Sequence, residues 1–331
     1  MRIGELLILG FRGTTIPAWL RDFEREFSLG GVVLFDRDLH GDTKVRNIES
    51  PDQLRSLCDA LHRLPSRPLI FVDQEGGVVR RLKPAHGFRH LPSHAELAGL
   101  ANADALAVVG ASFYEMKALG IDFNLAPVVD LNVNPENPNI GRVGRSFSAD
   151  PNEVRRCAAI MVTAAQQVGL RLCLKHFPGL GGATTDSHTD ITDLSEAVSA
   201  EQVALFVELC PNLPGNAILL SHGLMKGWDP VRPVSVSPSA VDLLRSAVPD
   251  VLLITDDVQM GGLRKLLPTA EACVHAWRAG VDMVCVGNNQ VVEEAHMFDI
   301  GQALRAAVDA DPSLITRCRL AQNRVALRKA A

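Results

Sequence analysis

The chain has 331 residues, 47% of them hydrophobic and 21% charged, with a formal net charge of −5 spread over both signs. That balance excludes the basic face a nucleic-acid partner needs, and no run reaches the ~18 apolar residues of a membrane span. The length allows one large domain or two ordinary ones; with no internal repeat and no Pro/Ser-rich linker, a single domain over 1–331 is expected.

In chain order, residues 6–11 form the first apolar run. Glu5 and Arg12 bound it too closely for a secretory leader, whose apolar core takes roughly 7–15 residues, so a buried strand in a cytoplasmic protein is expected. Further runs of this kind follow at 31–35, 69–73, 123–129, 171–175, 217–221, 251–255 and 282–286. They are rich in Val, Ile and Leu without polar alternation, as strands buried on both faces must be. Between them lie segments with helical spacing. Trp19, Phe23 and Phe27 recur every fourth residue, Leu54, Leu57, Cys58 and Leu61 make a stripe, and so do Val154, Cys157, Ile160, Met161 and Ala164. Leu314, Cys318 and Ala321 mark a final helix from about residue 311. The seven cysteines are scattered without C-x-x-C spacing, which predicts buried free thiols and no metal or redox motif.

Alternating strands and helices imply parallel pairing through crossover helices. Eight such units predict an α/β fold of the (β/α)8 TIM-barrel type. The rival, an open doubly wound sheet, lacks its glycine fingerprint, because Gly10-Phe11-Arg12-Gly13 has the wrong spacing. Helix-to-strand links are brief, whereas about twenty residues follow Val129, about twenty follow Lys175 and about fifteen follow Ser221. Barrel enzymes build their sites on these strand-to-helix loops.

The strand ends supply candidate residues. They are Asp73-Gln74-Glu75-Gly76-Gly77 with Arg80 and Arg81; Asp130 with Arg142, Arg145, Ser146 and Phe147; Lys175-His176; Ser221-His222; Asp256-Asp257; and Asn288-Asn289. Carboxylates, arginines, a lysine and imidazoles around one mouth suit a hydroxyl-rich neutral ligand, and would also suit a metal. Asp257 is expected to cap the following turn while Asp256 acts, and His222 either packs or lines the site. The Gly76-Gly77 turn is expected to bring a backbone amide to the ligand. Fourteen residues, Lys175-His176-Phe177-Pro178-Gly179-Leu180-Gly181-Gly182-Ala183-Thr184-Thr185-Asp186-Ser187-His188, concentrate this chemistry. An Asp two residues before a His can orient one ring nitrogen and leave the other for proton transfer. The loop's glycines are expected to leave it free to move.

The run from Lys175 to His188 resembles the signature of glycoside hydrolase family 3, and in particular its bacterial β-N-acetylglucosaminidases (β-N-acetylhexosaminidases) of peptidoglycan recycling. Asp73-Gln74-Glu75-Gly76-Gly77, Arg145-Ser146-Phe147 with Asp150-Pro151, Thr255-Asp256-Asp257-Val258-Gln259-Met260 and Ala279-Gly280-Val281-Asp282-Met283 fit the same family, in its order. The resemblance implies a retaining exo-acting enzyme without cofactor or metal, a monomer acting on a small N-acetylglucosaminide. It implies Asp256 as nucleophile and His188, held by Asp186, as general acid and then base. Asp73, Arg81, Arg145, Lys175 and His176 would hold the sugar. Because no second domain offers a carboxylic acid, the proton donor is expected on the barrel's own loops.

The chain departs from the family pattern at four places, one of them the loop before Arg145, where Gly141-Arg142-Val143-Gly144 looks slightly longer than usual. Leu180 and Gly182 stand where the family usually has His and Asp, Val78 stands where an Arg commonly follows Gly-Gly, and Thr189-Asp190-Ile191-Thr192 lacks the usual Leu-Pro. A less polar mouth and an altered choice of aglycone are the expected consequences. Four other readings stay open at this level: a β-glucosidase, transfer to phosphate instead of water, a metal-dependent hydrolase using His176, His188, His222 and Asp256, and an inactive sugar-binding barrel.

Overall fold

The computed structural model describes residues 2–39, 45–185 and 190–330. Eight parallel strands, β1 (Leu7–Leu9), β2 (Gly31–Leu34), β3 (Leu69–Val72), β4 (Phe123–Asn124), β5 (Arg171–Phe177), β6 (Ala217–Leu220), β7 (Leu252–Thr255) and β8 (Val284–Val286), form one sheet in the order β8-β1-β2-β3-β4-β5-β6-β7. The parallel bridge between Ile254 and Met283, with Thr255 N donating to Met283 O at 3.1 Å, joins β7 to β8 and closes the ring. Each strand overlaps a predicted run; seven are shortened, whereas β5 runs two residues past the predicted 171–175 to Phe177. β4 is shortened most: its pairing with β5 shifts by one residue between Phe123–Arg171 and the later bridge, and Val128 N donates to His94 Nε2 instead of to the ladder. Beyond it the chain still follows β5 through the bridge between Val128 and Lys175.

A helix follows every strand: α1 (Ala18–Phe27), α2 (Pro51–His62), α3 (Asn102–Ala118), α4 (Pro151–Val168), α5 (Ala200–Leu209), α6 (Pro238–Ala247), α7 (Thr269–Ala279) and α8 (Met297–Ala310). Several begin where the sequence places a capping side chain. Ser50, Asp150 and Ser237 each accept a backbone N–H of the first turn, and each precedes a proline whose missing donor is no loss there. The predicted stripes face inward. Phe23 and Phe27 are buried on α1, and Val154, Cys157 and Met161 are buried on α4.

Side-chain alternation along each strand separates two cores. Ile70 and Val72 of β3 join the outer core beneath the helices, while Leu69 and Phe71 point into the barrel. There Phe71 stacks on Phe123 with ring centroids 4.9 Å apart, among Ile8, Val33, Cys173, Leu219 and Ile254. The same two-residue step carries the chain from Phe71 to Asp73, from Cys173 to Lys175 and from Ile254 to Asp256. The topmost inward layer is therefore charged where the layers beneath are apolar.

A further helix, α9 (Leu314–Ala330), closes the opposite end. Its Val325 joins the barrel core, and Arg328 donates to the carbonyls of Gly215, Asn216 and Asp250 in the links that lead into β6 and β7. Lys329 donates to Leu29 O and Ser66 O ahead of β2 and β3. Among the described residues, no helix is long and apolar enough to cross a membrane.

Candidate active site

A pocket of about 250 Å³ opens at the carboxyl ends of the strands. Asp73, Arg81, Arg145, Lys175, His176 and Asp256, six residues expected from the sequence, all line it. Asp186 and His188 lie outside the described residues.

Lys175 anchors the site. Its ammonium lies 2.7 Å from Asp73 Oδ1 and 2.6 Å from Glu75 Oε1, with a side chain only 2% exposed. Glu75, itself fully buried, receives Arg145 in a bidentate pair, from Nε at 2.8 Å and a terminal nitrogen at 2.8 Å. Burial alone would push the Glu75 carboxyl up, but Arg145 and Lys175 outweigh it and hold it well below the usual range. Burial likewise opposes ionisation of Asp73, and Lys175 and Arg81 reverse that effect. On Lys175 burial works against the charge, while Asp73 and Glu75 keep its pKa above the ordinary lysine value. The network is thus ionised and internally paired at neutral pH, which leaves little excess charge for a ligand to neutralise.

Lys175 and His176 both reach the pocket although they are adjacent in sequence, because the register of β5 against β6 shifts between Leu174 and Phe177. His176 Nδ1 lies 2.7 Å from Asp130 Oδ2, and its Nε2 lies 3.0 Å from a terminal nitrogen of Arg145. A guanidinium can only donate, so Nε2 accepts and the ring hydrogen sits on Nδ1, facing Asp130. The other Asp130 oxygen accepts from the backbone N–H of His176 and of Leu180. Glu75 and Asp130 therefore build the site, although neither was assigned a role from the sequence. The signal was present for Glu75: it lies two residues beyond Asp73, on the same side of an extended chain.

Arg81 reaches Asp73 Oδ2 at 3.4 Å and lies over the Phe35 ring, 5.3 Å from its centroid. Asp36, at the end of β2, is 3.8 Å from Arg81 and also pairs with Lys83. His94 is fully buried behind the cluster, its pKa lowered to about 4 chiefly by burial, and its Nε2 accepts from Val128 N. Arg142 does not line the pocket and is 63% exposed.

At the end of β7, Asp256 Oδ1 accepts from Asp257 N at 2.8 Å. Asp257 Oδ1 accepts from Gln259 N at 3.0 Å and Gly287 N at 3.1 Å, so it caps the turn as expected and also staples β7 to β8. A side chain on Gly287 would stand 2.4 Å from the second Asp257 oxygen, which explains the glycine. Burial, the largest influence, raises the Asp257 carboxyl to about 6.

The structure also gives the surroundings of His222, the Gly76-Gly77 turn and Gly181. His222 is buried and does not line the pocket; its ring nitrogens meet Ser235 Oγ and Asp257 O. The Gly76-Gly77 turn does not turn its second amide to a ligand: Gly77 N donates to Leu91 O, and the positive φ of both glycines is what requires them. Close packing requires the glycine at 181, since a Cβ there would lie 1.7 Å from Leu131 O. Among the described residues, no three His, Cys, Asp or Glu side chains cluster as metal ligands.

Comparisons with known proteins bear on the family and the fold. Residues 2–326 match the family described as glycosyl hydrolase family 3, N-terminal domain. The chain is 31% identical over 320 residues to a beta-hexosaminidase of Pseudomonas aeruginosa, an alignment covering 95% of this chain and 90% of that one. It is similar in structure to the beta-N-acetylhexosaminidase of Beutenbergia cavernae, with a TM-score of 0.85 and 27% identity over 100% of this chain and 98% of the other. A family 3 beta-N-acetylglucosaminidase from a Paenibacillus species superposes with a TM-score of 0.84 and 27% identity; the chain is covered to 99% but spans only 62% of that longer protein.

Proposed function

Since the chain belongs to glycosyl hydrolase family 3 and is a glycoside hydrolase, we propose that it removes a terminal β-linked N-acetylglucosamine with retention of configuration. The observation that carries this reading is Asp256 lining one pocket with the Asp73–Lys175–Glu75–Arg145–His176 network, in a chain whose relatives are named hexosaminidases. The pocket's volume suits one sugar ring, which favours an exo-acting enzyme.

In this mechanism Asp256 is the nucleophile. The hydrogen bond from Asp257 N holds one carboxylate oxygen and leaves the other to attack the anomeric carbon. As the glycosidic bond breaks, His188, oriented by Asp186, passes its proton to the departing oxygen; both assignments come from the family signature. His188 then takes a proton from water as that water attacks the glycosyl-aspartate, freeing Asp256 and restoring the acid. Asp73, Arg81, Arg145, Lys175 and His176 hold the hydroxyls and acetamide, their own pairings fixing them before substrate arrives. The natural substrates are fragments of peptidoglycan, and the less polar mouth bears on the aglycone.

A panel of paired 4-nitrophenyl glucosides and N-acetylglucosaminides, followed by NMR of the first-formed anomer, tests the reading. Turnover of the N-acetyl compound with the β-anomer appearing first supports it. An α-anomer first, or undiminished turnover by Asp256→Ala, refutes it.

A further inference from the structure

From the hydrogen bonds behind the pocket we infer that His222 and Ser235 are positioning residues for the Asp256 carboxylate, an inference that rests on Asp256 being the nucleophile. His222 stands just beyond β6 and Ser235 lies in a short 3-10 turn, Val234–Val236, of the loop that follows. Both are buried, and neither lines the pocket.

Hydrogen positions follow from the partners. Asp257 O can only accept, so His222 Nε2, 2.9 Å away, carries the ring hydrogen. In the neutral ring His222 Nδ1 then accepts, and the Ser235 hydroxyl at 2.7 Å donates to it. Ser235 is itself fixed by its backbone N–H, which reaches Ser221 O at 3.2 Å. The imidazole therefore bridges two points of the scaffold with its direction set.

The consequence for Asp256 runs through one residue. The carbonyl of Asp257 is held by His222, its carboxylate by Gln259 N and Gly287 N, and its N–H holds Asp256 Oδ1. These ties hold Asp257 from its carbonyl and its side chain, and through its Cα they restrain the preceding peptide, whose N–H sets the direction of the Asp256 carboxylate. Nucleophile misplacement of even 1 Å reduces rate steeply, so this restraint acts on the chemical step more than on sugar binding.

The test compares His222→Phe, His222→Gln and Ser235→Ala with wild type. A 4-nitrophenyl N-acetylglucosaminide gives kcat and KM, and a mechanism-based fluorinated glycosyl label followed by peptide mass analysis reports attack by Asp256. Phe keeps the ring but neither nitrogen; Gln restores a donor toward Asp257 O. The expected result is a 10–100-fold fall in kcat for His222→Phe with KM within threefold, slower labelling of Asp256, partial recovery in His222→Gln, and a smaller fall in Ser235→Ala. A folded His222→Phe with unchanged kcat and labelling rate overturns the inference. If His222→Phe does not fold, unchanged kcat in both His222→Gln and Ser235→Ala refutes it if neither slows labelling. Wild type labelled at a residue other than Asp256 defeats the nucleophile assignment itself, and this inference with it.

Discussion

Replacing Glu75 by Gln would remove one negative charge from the centre of the site while keeping its shape. Glu75 makes three charge-assisted contacts, with Lys175 at 2.6 Å and with two Arg145 nitrogens at 2.8 Å. Each such bond contributes roughly 1.5–3 kcal/mol. A glutamine oxygen can keep part of this, but its amide nitrogen would face either a guanidinium donor or the ammonium. Breaking a buried ion pair by removing one partner costs about 3–5 kcal/mol, which sets the expected loss. At roughly 2–3 °C per kcal/mol for a chain of this size, Tm should fall by about 6–15 °C at pH 7. The pH dependence adds a second check. A carboxyl held low in the folded state contributes stability above its unfolded pKa and loses it as pH falls through the folded value. Because Gln does not titrate, the gap between variant and wild type should narrow below about pH 4.5. Urea denaturation at pH 7 and pH 4 measures both quantities. A Glu75→Gln protein within 0.5 kcal/mol of wild type at pH 7 would refute the claim that this carboxylate holds the cationic pair in place.

Other variants probe separate parts of the molecule. His188→Ala should lower kcat/KM about 10²–10⁴-fold for alkyl N-acetylglucosaminides and far less for dinitrophenyl ones, whose leaving group needs no proton; equal losses on both would contradict an acid role. Asp257, raised from 3.8 to about 6, should lose stability as pH rises across that interval, since its folded form holds the proton longer than the unfolded chain does. Asp257→Asn should therefore gain on wild type by at most about 3 kcal/mol between pH 4 and pH 7, less for the solvent access this residue retains; denaturation midpoints that run parallel with pH would count against it. Arg328→Ala removes the donor to Gly215 O, Asn216 O and Asp250 O at the closed end of the barrel, and should cost about 2–4 kcal/mol while leaving kcat/KM within twofold. A kinetic defect in that folded variant would mean that the two ends of the barrel are coupled.

Much of the architecture was legible in the chain itself. Uninterrupted apolar runs separated by helical stripes dictate parallel strands under helices, and the two-residue period turns Asp73, Lys175 and Asp256 toward the lumen once Phe71, Cys173 and Ile254 are recognised as inward. Family-specific spacing brought Arg81, Arg145 and His176 to the same mouth. Partner choice was not legible. Glu75 meets Arg145 across 70 positions, and His176 meets Asp130 across 46, through the ring that places β3, β4 and β5 side by side. His222 turned away from the pocket because Ser235 and the Asp257 carbonyl offered both ring nitrogens a buried partner. Periodicity decides which way a side chain points along its own strand. Which groups it meets there depends on strand register and on desolvation, and a buried polar atom takes whichever partner the closed barrel brings within reach.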